Sequence, residues 1–340
     1  MTIATAPGKI ILFGEHAVVY GRSAIAVPLS QVRAQAIVTD GSPDGQVHLM
    51  APDLGQVFAL HEADEENALA AAVRQVQRAA GLATLPPLTI TVSSQIPIAS
   101  GLGSGAAITV AIIRALAGHL GLVELLENTA VSELTFQVEK LYHGTPSGID
   151  NTVIAFEQPV YFQRAQPQNR IEPFAVATPL RLIVADTGIS SSTRQVVADV
   201  GQQWQTNRQA FEDIFDQCGA ITDQARQALQ AGAMVRLGQL MTKNHALLRK
   251  MTVSSLELEQ LVETAVAAGA WGAKLSGAGR GGNMIAIAPE WYEDTVRQAL
   301  LAAGARHVLT TEVATNVAPN VATNVAHDQN LQTHLSSEAQ

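Results

Sequence analysis

A glycine-rich loop carries the most specific chemistry in the sequence. Glycines at positions 101, 103 and 105 let main-chain amides approach a bulky anion closely. The helix predicted from Ser104 would turn its unpaired N–H groups and positive dipole end toward that loop, so the pattern predicts a phosphate cradle. The lysine and Ser/Thr pair of a Walker P-loop are absent, and a tight strand-to-helix turn is the alternative. The predicted cradle comprises Pro97, Ile98, Ala99, Ser100, Gly101, Leu102, Gly103, Ser104, Gly105, Ala106 and Ala107.

Two carboxylates flank a Gly/Pro-rich turn further along the chain. Glu139 lies near the end of a helical pattern, and Asp150 follows the turn, which can fold back toward that helix. One carboxylate could hold Mg²⁺ while the other accepts or orients a hydroxyl proton. A surface glutamate on a helix and an aspartate that caps a helix are the open alternatives.

Three further candidate residues lie near the N-terminus, in the run APGKIILFGEHAVVYG. Lys9 precedes an apolar stretch, where its ammonium group would be partly desolvated and would act as a fixed positive charge. Glu15 and His16 follow a glycine and are therefore expected on a turn. A surface lysine and a solvated turn histidine are the plainer interpretations of these residues.

The second half of the chain contains a hydroxyl-rich turn and another glycine cluster. Ser191, Thr193 and Arg194 belong to the turn GISSSTR, which could bind a carboxylate or hydroxyl group of a small substrate, or could be a solvated helix start. The cluster KLSGAGRGGN at 274–283 contains Gly277 and Gly279 and precedes a predicted strand.

Strands and helices that would position these residues alternate along the chain. The strand LTITVSS leads into the first glycine loop, and the segment 165–178, which is rich in proline, is predicted to connect two domains. The second half is expected to form an α+β sandwich. Predicted helices cover 62–81, 104–121, 127–142, 195–230, 233–250, 255–268 and 290–303, and a strand is predicted at 306–313.

Composition restricts the class of protein. A chain of 340 residues with a net charge of −9 is long enough for two domains, and its acidity argues against a broad nucleic-acid-binding surface. The single cysteine cannot form an internal disulfide, which favours a cytoplasmic location. No apolar run approaches the roughly 20 residues of a membrane span. The polar tail, with its repeated Asn-Val-Ala unit, is predicted to be disordered.

Three of these motifs, in this order and spacing, resemble the signature motifs of the GHMP kinase superfamily: APGKIILFGEHAVVYG, PIASGLGSGAA with the downstream GTPSGID, and KLSGAGRGGN. The first motif is most similar to that of mevalonate kinases. The resemblance covers about residues 4 to 313. It implies an α+β fold with an N-terminal domain like ribosomal protein S5 domain 2 (1–175), a ferredoxin-like C-terminal domain (176–313) and a disordered tail (314–340), with the active site between the domains.

The resemblance also implies roles for the candidate residues. ATP would donate its γ-phosphoryl group to the C5 hydroxyl of mevalonate, with the triphosphate in the first glycine loop and Gly277 and Gly279 shaping the cleft nearby. Asp150 and Lys9 would be catalytic, and Glu139, with Ser104, would hold Mg²⁺. Glu15, His16, Ser191, Thr193 and Arg194 would lie near the substrate. A homodimer is a further expectation from the family.

The sequence departs from the family pattern at three positions. Gly105 replaces a serine whose hydroxyl group contacts Mg²⁺, so the metal would depend on Glu139, phosphate oxygens and water. Arg280 replaces a common glycine, where it could contact phosphate or solvent, and Asn283 replaces a common cysteine. Another small-molecule kinase, for phosphomevalonate or a sugar, and a non-catalytic ligand sensor are the alternative functions.

Overall fold

The computed structural model describes residues 1–42, 44–97, 101–143, 146–314 and 325–327. A large mixed sheet is built from the first half of the chain and one strand near the C-terminus, with the antiparallel pair of the two longest strands at its centre. Its strands run in the order β12-β1-β2-β5-β3-β4, and β6 extends from β2 to β7. They are β1 (Thr2–Phe13), β2 (Ser23–Asp40), β3 (Val47–Ala51), β4 (Gln56–Ala59), β5 (Leu88–Ser94), β6 (Val160–Gln163), β7 (Arg170–Pro173) and β12 (Val325–His327).

Four helices accompany this sheet: α1 (Ala68–Ala79), α2 (Ser104–His119), α3 (Asn128–His143) and α4 (Ile149–Phe156). Helix α2 is buried on nearly all sides because it packs on β1 and β2 and is covered by the other three helices. Helix α1 begins later than the sequence predicts, since the Asn67 side chain accepts a hydrogen bond from the Ala70 N–H and caps it there. The acidic residues at the start of the predicted range 62–81 therefore precede the helix, and no acidic residue lies in its first turn.

A smaller antiparallel sheet, ordered β11-β8-β10-β9, is built from the second half. Its strands are β8 (Leu180–Asp186), β9 (Gly272–Ser276), β10 (Asn283–Ile287) and β11 (His307–Val313). The helices of this half are α5 (Thr193–Thr206), α6 (Arg208–Ala231), α7 (Met234–Lys250), α8 (Leu256–Ala267) and α9 (Glu290–Ala302). The single helix predicted over 195–230 is in fact α5 and α6, because Asn207 leaves the helical conformation with φ −134°.

The two sheets divide the chain near the predicted domain boundary. Strand β7 of the large sheet ends at Pro173, and the first strand of the small sheet begins at Leu180. Residues 170–173 of the predicted connection 165–178 are thus a strand of the large sheet, and the domain boundary at 175/176 stays a prediction. Each sheet has buried aliphatic side chains on its helix-covered face. Within the described part of the chain, no helix has the length and apolar character needed to cross a bilayer.

Part of the predicted disordered tail is a strand. Residues 325–327 pair antiparallel with Thr2–Ala4 at the edge of β1, where unpaired main-chain groups accept another strand. For these three residues the structure differs from the prediction of disorder. The segments 315–324 and 328–340 lie outside the described residues.

Candidate active site

The first glycine loop meets α2 as the phosphate-cradle prediction requires. Gly103 precedes the helix in the left-handed conformation (φ 78°), and its carbonyl accepts the first helical hydrogen bond, from the Ala107 N–H at 3.0 Å. The Lys9 N–H donates to the Leu102 carbonyl at 2.9 Å, which fastens the loop to β1. A Cβ added at Gly105 would meet no atom within 4 Å, so the helix start is open to a large anion. Ile98, Ala99 and Ser100 lie outside the described residues.

The structure brings Lys9 and Asp150 together, although they are far apart in the sequence. Lys9 Nζ lies 3.2 Å from Asp150 Oδ2, with side-chain exposures of 10% and 36%. Asp150 is in the first turn of α4, where the helix dipole stabilises its negative charge, and Gly148 caps that helix in the left-handed conformation. The side-chain amide of Asn151 donates to the Ser132 carbonyl and fixes this end of α4 to α3. The carboxylate therefore faces the cleft from a rigid support.

Two chambers form the cleft and join at Lys9, Pro97, Gly101 and Thr193. The large chamber has a volume of about 1530 Å³ and is lined by Gly101–Gly105, Asp150 and Arg194, with Leu54 and Asp64 among the residues on its far side. The small chamber has about 380 Å³ and lies against Ser191, Gly277–Gly279 and Arg306. The large chamber is big enough for a nucleotide, and the small chamber is big enough for a small organic acid.

The second glycine cluster forms a wall of the small chamber. Gly279 has φ 84°, and a Cβ there would lie 2.0 Å from the Val253 carbonyl oxygen, so this position requires glycine. Gly277 faces open space in the chamber. Arg280 does not line either chamber: its guanidinium pairs with Asp199 on α5 and donates to the Thr252 carbonyl at 3.2 Å. The phosphate contact considered for Arg280 is therefore replaced by an ion pair with α5.

The hydroxyl-rich turn lies at the cleft and is also the start of a helix, so its predicted binding of substrate stays a prediction. Ser192 caps α5, because its hydroxyl group accepts from the Gln195 N–H. Ser191 Oγ donates to the Gly279 carbonyl at 2.6 Å and so ties the turn to the second glycine cluster. Thr193 borders both chambers, and exposed Arg194 borders the large one opposite Asp150.

Glu15 and His16 are not at the surface of the cleft. They are 4% and 5% exposed, and neither lines a chamber. The Glu15 carboxylate forms an ion pair with Lys274 of β9, and His16 Nε2 donates to the Ala278 carbonyl at 2.9 Å. Burial raises the pKa of Glu15 and lowers that of Lys274, and their mutual attraction opposes both shifts. Glu15 and His16 thus make contacts between the two halves of the chain, and their expected proximity to substrate stays a prediction.

Lys274 and the far wall of the large chamber have no role in the sequence analysis. Lys274 is fully buried, and only its position at the start of the third motif could have drawn attention to it. Asp64, Glu66 and Asn67 line the large chamber. Their acidic run was interpreted as the start of α1, which concealed their place in the cleft.

The two predicted magnesium ligands differ in their relation to the cleft. Ser104 is the first residue of α2 and lines the large chamber, whereas Glu139 is half-buried on α3 and lines neither chamber. Within the described ranges no three His, Cys, Asp or Glu side chains converge as a metal site. Mg²⁺ usually keeps several waters and binds one or two carboxylates together with substrate phosphates, so few protein ligands suffice for it. A role for Glu139 as a ligand stays a prediction.

Gly103→Ala tests how closely the loop supports Lys9. An alanine Cβ would lie 2.9 Å from Lys9 Cγ and 3.1 Å from Ile154 Cδ1, and the left-handed backbone costs alanine about 1 kcal/mol. We expect kcat to fall about tenfold to a hundredfold in a coupled ADP-release assay, because Lys9 is pushed from Asp150. Gly121→Ala is the matched control: φ is 70° there, no atom lies within 4 Å, and kcat should stay within twofold. Equal losses of kcat in Gly103→Ala and Gly121→Ala would contradict the view that the loop supports Lys9.

Comparison with known proteins agrees with this geometry. The family model described as "GHMP kinases N terminal domain" matches residues 67–158, and the model described as "GHMP kinases C terminal" matches residues 225–307. Mevalonate kinase of Thermococcus onnurineus is 35% identical over 326 residues, which cover 91% of this chain and 95% of that protein. The chain belongs to the GHMP kinase family, and its α+β architecture of two domains around a cleft is that of the family.

Solved structures extend the comparison. L. major mevalonate kinase in complex with R-mevalonate superposes with a TM-score of 0.79 and 34% identity, covering 93% of this chain and 97% of that one. Methanococcus jannaschii mevalonate kinase superposes with a TM-score of 0.78 and 26% identity, covering 93% of this chain and 98% of that one. Streptococcus pneumoniae phosphomevalonate kinase and Lactococcus lactis galactokinase are only 17% and 21% identical, which shows a shared fold alone.

Proposed function

We propose that the protein transfers the γ-phosphoryl group of ATP to the C5 hydroxyl group of (R)-mevalonate, giving 5-phosphomevalonate and ADP in isoprenoid biosynthesis. The observation that carries this proposal is the Lys9–Asp150 pair beside an open helix start in a two-chambered cleft. The mevalonate kinases that match this chain over most of its length supply the acceptor. No comparison favours phosphomevalonate or a sugar over mevalonate.

The residues divide the reaction between them. Asp150 orients the C5 hydroxyl group and accepts its proton as the C5 oxygen bonds to the γ-phosphorus. At the same time the bond between the γ-phosphorus and the β–γ bridging oxygen breaks, and ADP leaves with that oxygen. Lys9 stabilises the charge that develops on the attacking oxygen. Because the transition state of phosphoryl transfer is loose, positioning and electrostatics contribute more than strong base catalysis.

Main-chain amides at the start of α2 hold the phosphates, and Arg194 and Thr193 approach from the other domain. Glu139 and Ser104 would hold Mg²⁺, which neutralises charge on the phosphate oxygens when bound. Gly105 contributes no hydroxyl group, so phosphate oxygens and water would supply the remaining ligands. A cytoplasmic location and a homodimer remain predictions from the sequence.

An acceptor panel tests the function. ADP release should be measured with mevalonate, phosphomevalonate, homoserine and galactose at matched concentrations, with Mg²⁺ present and with EDTA added. We expect turnover with mevalonate at least about a hundredfold above the other acceptors, because a site that hydrogen-bonds the polar groups of its substrate rejects molecules that cannot make those bonds. Preferred turnover of phosphomevalonate or galactose would establish another kinase of the family. Nucleotide binding without turnover of any acceptor would favour a ligand sensor.

A further inference from the structure

One buried guanidinium group behind the cleft belongs to one helix and contacts two others. Arg114 belongs to α2 and is 3% exposed. Its Nη1 donates to Glu157 Oε1 at 3.1 Å, and its Nη2 donates to Asn128 Oδ1 at 3.0 Å and to the Ala155 carbonyl at 2.5 Å. Asn128 is the first residue of α3, Ala155 lies in the last turn of α4, and Glu157 follows that helix. Arg114 therefore links α2 to the start of α3 and to the end of α4.

These three helices carry the groups that the proposed function assigns to phosphate, metal and proton. Helix α2 begins at the phosphate cradle with Ser104, α3 carries Glu139, and α4 has Asp150 in its first turn. The guanidinium contacts lie at the opposite ends of α2 and α4 from the cleft. At about 1.5 Å per residue, Arg114 is about 15 Å from Ser104 along α2, and Ala155 is about 7 Å from Asp150 along α4.

We propose that Arg114 is a positioning residue for phosphoryl transfer, which holds the phosphate cradle of α2 in register with Asp150 on α4 and with α3. This inference depends on the proposed function, because it assigns a kinetic role to the alignment of those helices. Arg114 touches neither chamber, so it acts only through the groups that it aligns.

The lengths involved explain why contacts so far from the cleft matter. A tilt of about 4° moves the end of a helical segment 15 Å long by about 1 Å. A misplacement of about 1 Å between reacting groups can lower the rate about a hundredfold, even when its source is remote. A guanidinium group suits this task because its planar fork fixes several acceptors at defined angles, whereas the ammonium group of lysine is a flexible point charge.

Arg33 provides a matched control in the same ion cluster. Its Nη2 donates to both oxygens of Glu157, at 3.1 and 3.0 Å, so Glu157 is shared between two arginines. Arg33 lies on β2, and its Nε donates to Thr5 Oγ1 on β1. Removing Arg33 weakens the same carboxylate cluster but leaves the links from α2 to Asn128 and Ala155 intact. The two arginines thus separate alignment of the helices from simple support of Glu157.

The experiment compares Arg114→Lys with Arg33→Lys in the full chain. For each variant kcat, both KM values, the Kd for ADP and the midpoint of urea unfolding are measured. We expect Arg114→Lys to lower kcat about tenfold to a hundredfold, with both KM values and the Kd for ADP within about threefold of wild type. Arg33→Lys should leave kcat within about twofold.

A kcat of Arg114→Lys within twofold of wild type, or equal losses of kcat in the two variants, would overturn the proposal. If Arg114→Lys fails to fold, Asn128→Ala decides the question, since it removes only the contact to α3 and should lower kcat about threefold or more with KM unchanged. Wild-type protein that turns over none of the four acceptors would refute the proposed function. The alignment itself is then tested by hydrogen exchange, which should quicken in the second turn of α4, where the amides are hydrogen-bonded within the helix, in Arg114→Lys but not in Arg33→Lys.

Discussion

Asp150→Asn should lower kcat about a thousandfold while the protein stays folded and binds ADP with nearly wild-type affinity. Asparagine keeps the size of the side chain but cannot accept the hydroxyl proton, and a positioned general base typically contributes a factor of about 10² to 10⁴. The variant also removes the charge opposite Lys9, 3.2 Å away. Steady-state ADP release gives kcat, and equilibrium titration gives the Kd for ADP.

Lys9→Met extends this test, because residues that act as a unit lose activity together. Each single variant should be severely impaired, and the double variant should be only slightly worse than Asp150→Asn alone, within about tenfold. A kcat of Asp150→Asn within tenfold of wild type would exclude the carboxylate as the proton acceptor. Multiplicative losses in the double variant would show that Lys9 and Asp150 act independently.

Glu15→Gln and Lys274→Met should each lower the free energy of unfolding by about 3–5 kcal/mol, because each leaves one unpaired charge in the protein interior. The pair is almost fully buried, with side-chain exposures of 1% and 0%, and Lys274 also donates to the Leu275 carbonyl. The double variant Glu15→Gln, Lys274→Met removes both charges and should cost much less than the sum of the single variants. Urea unfolding monitored by circular dichroism measures all three.

An exposed ion pair serves as the control for this cycle. Arg297 Nε lies 3.4 Å from Asp294 Oδ1 on the surface of α9, with side-chain exposures of 36% and 93%. Arg297→Met should change the free energy of unfolding by less than about 0.5 kcal/mol, since solvent screens such pairs. Losses below about 1 kcal/mol in both buried variants would mean that water reaches the Glu15–Lys274 pair.

Sequence patterns predicted the elements where local physics decides the outcome. The run of small and apolar residues after Ser104 predicts α2, and glycines before it predict the loop, because both depend on neighbouring residues. The start of α1 was misjudged, since the single cap at Asn67 decides it rather than the acidic run before it. The break at Asn207 was likewise hidden in a continuous helical pattern.

The site was predictable in its residue types but not in its pairings. Lys9 and Asp150 were both candidates, yet only the tertiary fold brings them within contact distance. Glu15 was placed near the substrate, but its ion pair with Lys274, 259 positions away, could not be predicted from the sequence. Arg114 gave no signal in the sequence at all, because its role depends on acceptors from two other helices.

The lone thiol of the chain lies beside the buried Glu15–Lys274 pair. Cys218 on α6 is 0% exposed, the side-chain amide of Asn244 approaches its sulfur, and burial raises its pKa to about 12. Alkylating reagents attack the thiolate, so folded molecules should resist them and modification should proceed only through opened ones. A ligand that binds only the folded state lowers the population of opened molecules and so slows alkylation. The rate of alkylation therefore measures nucleotide or acceptor binding, even in variants that have lost catalytic activity.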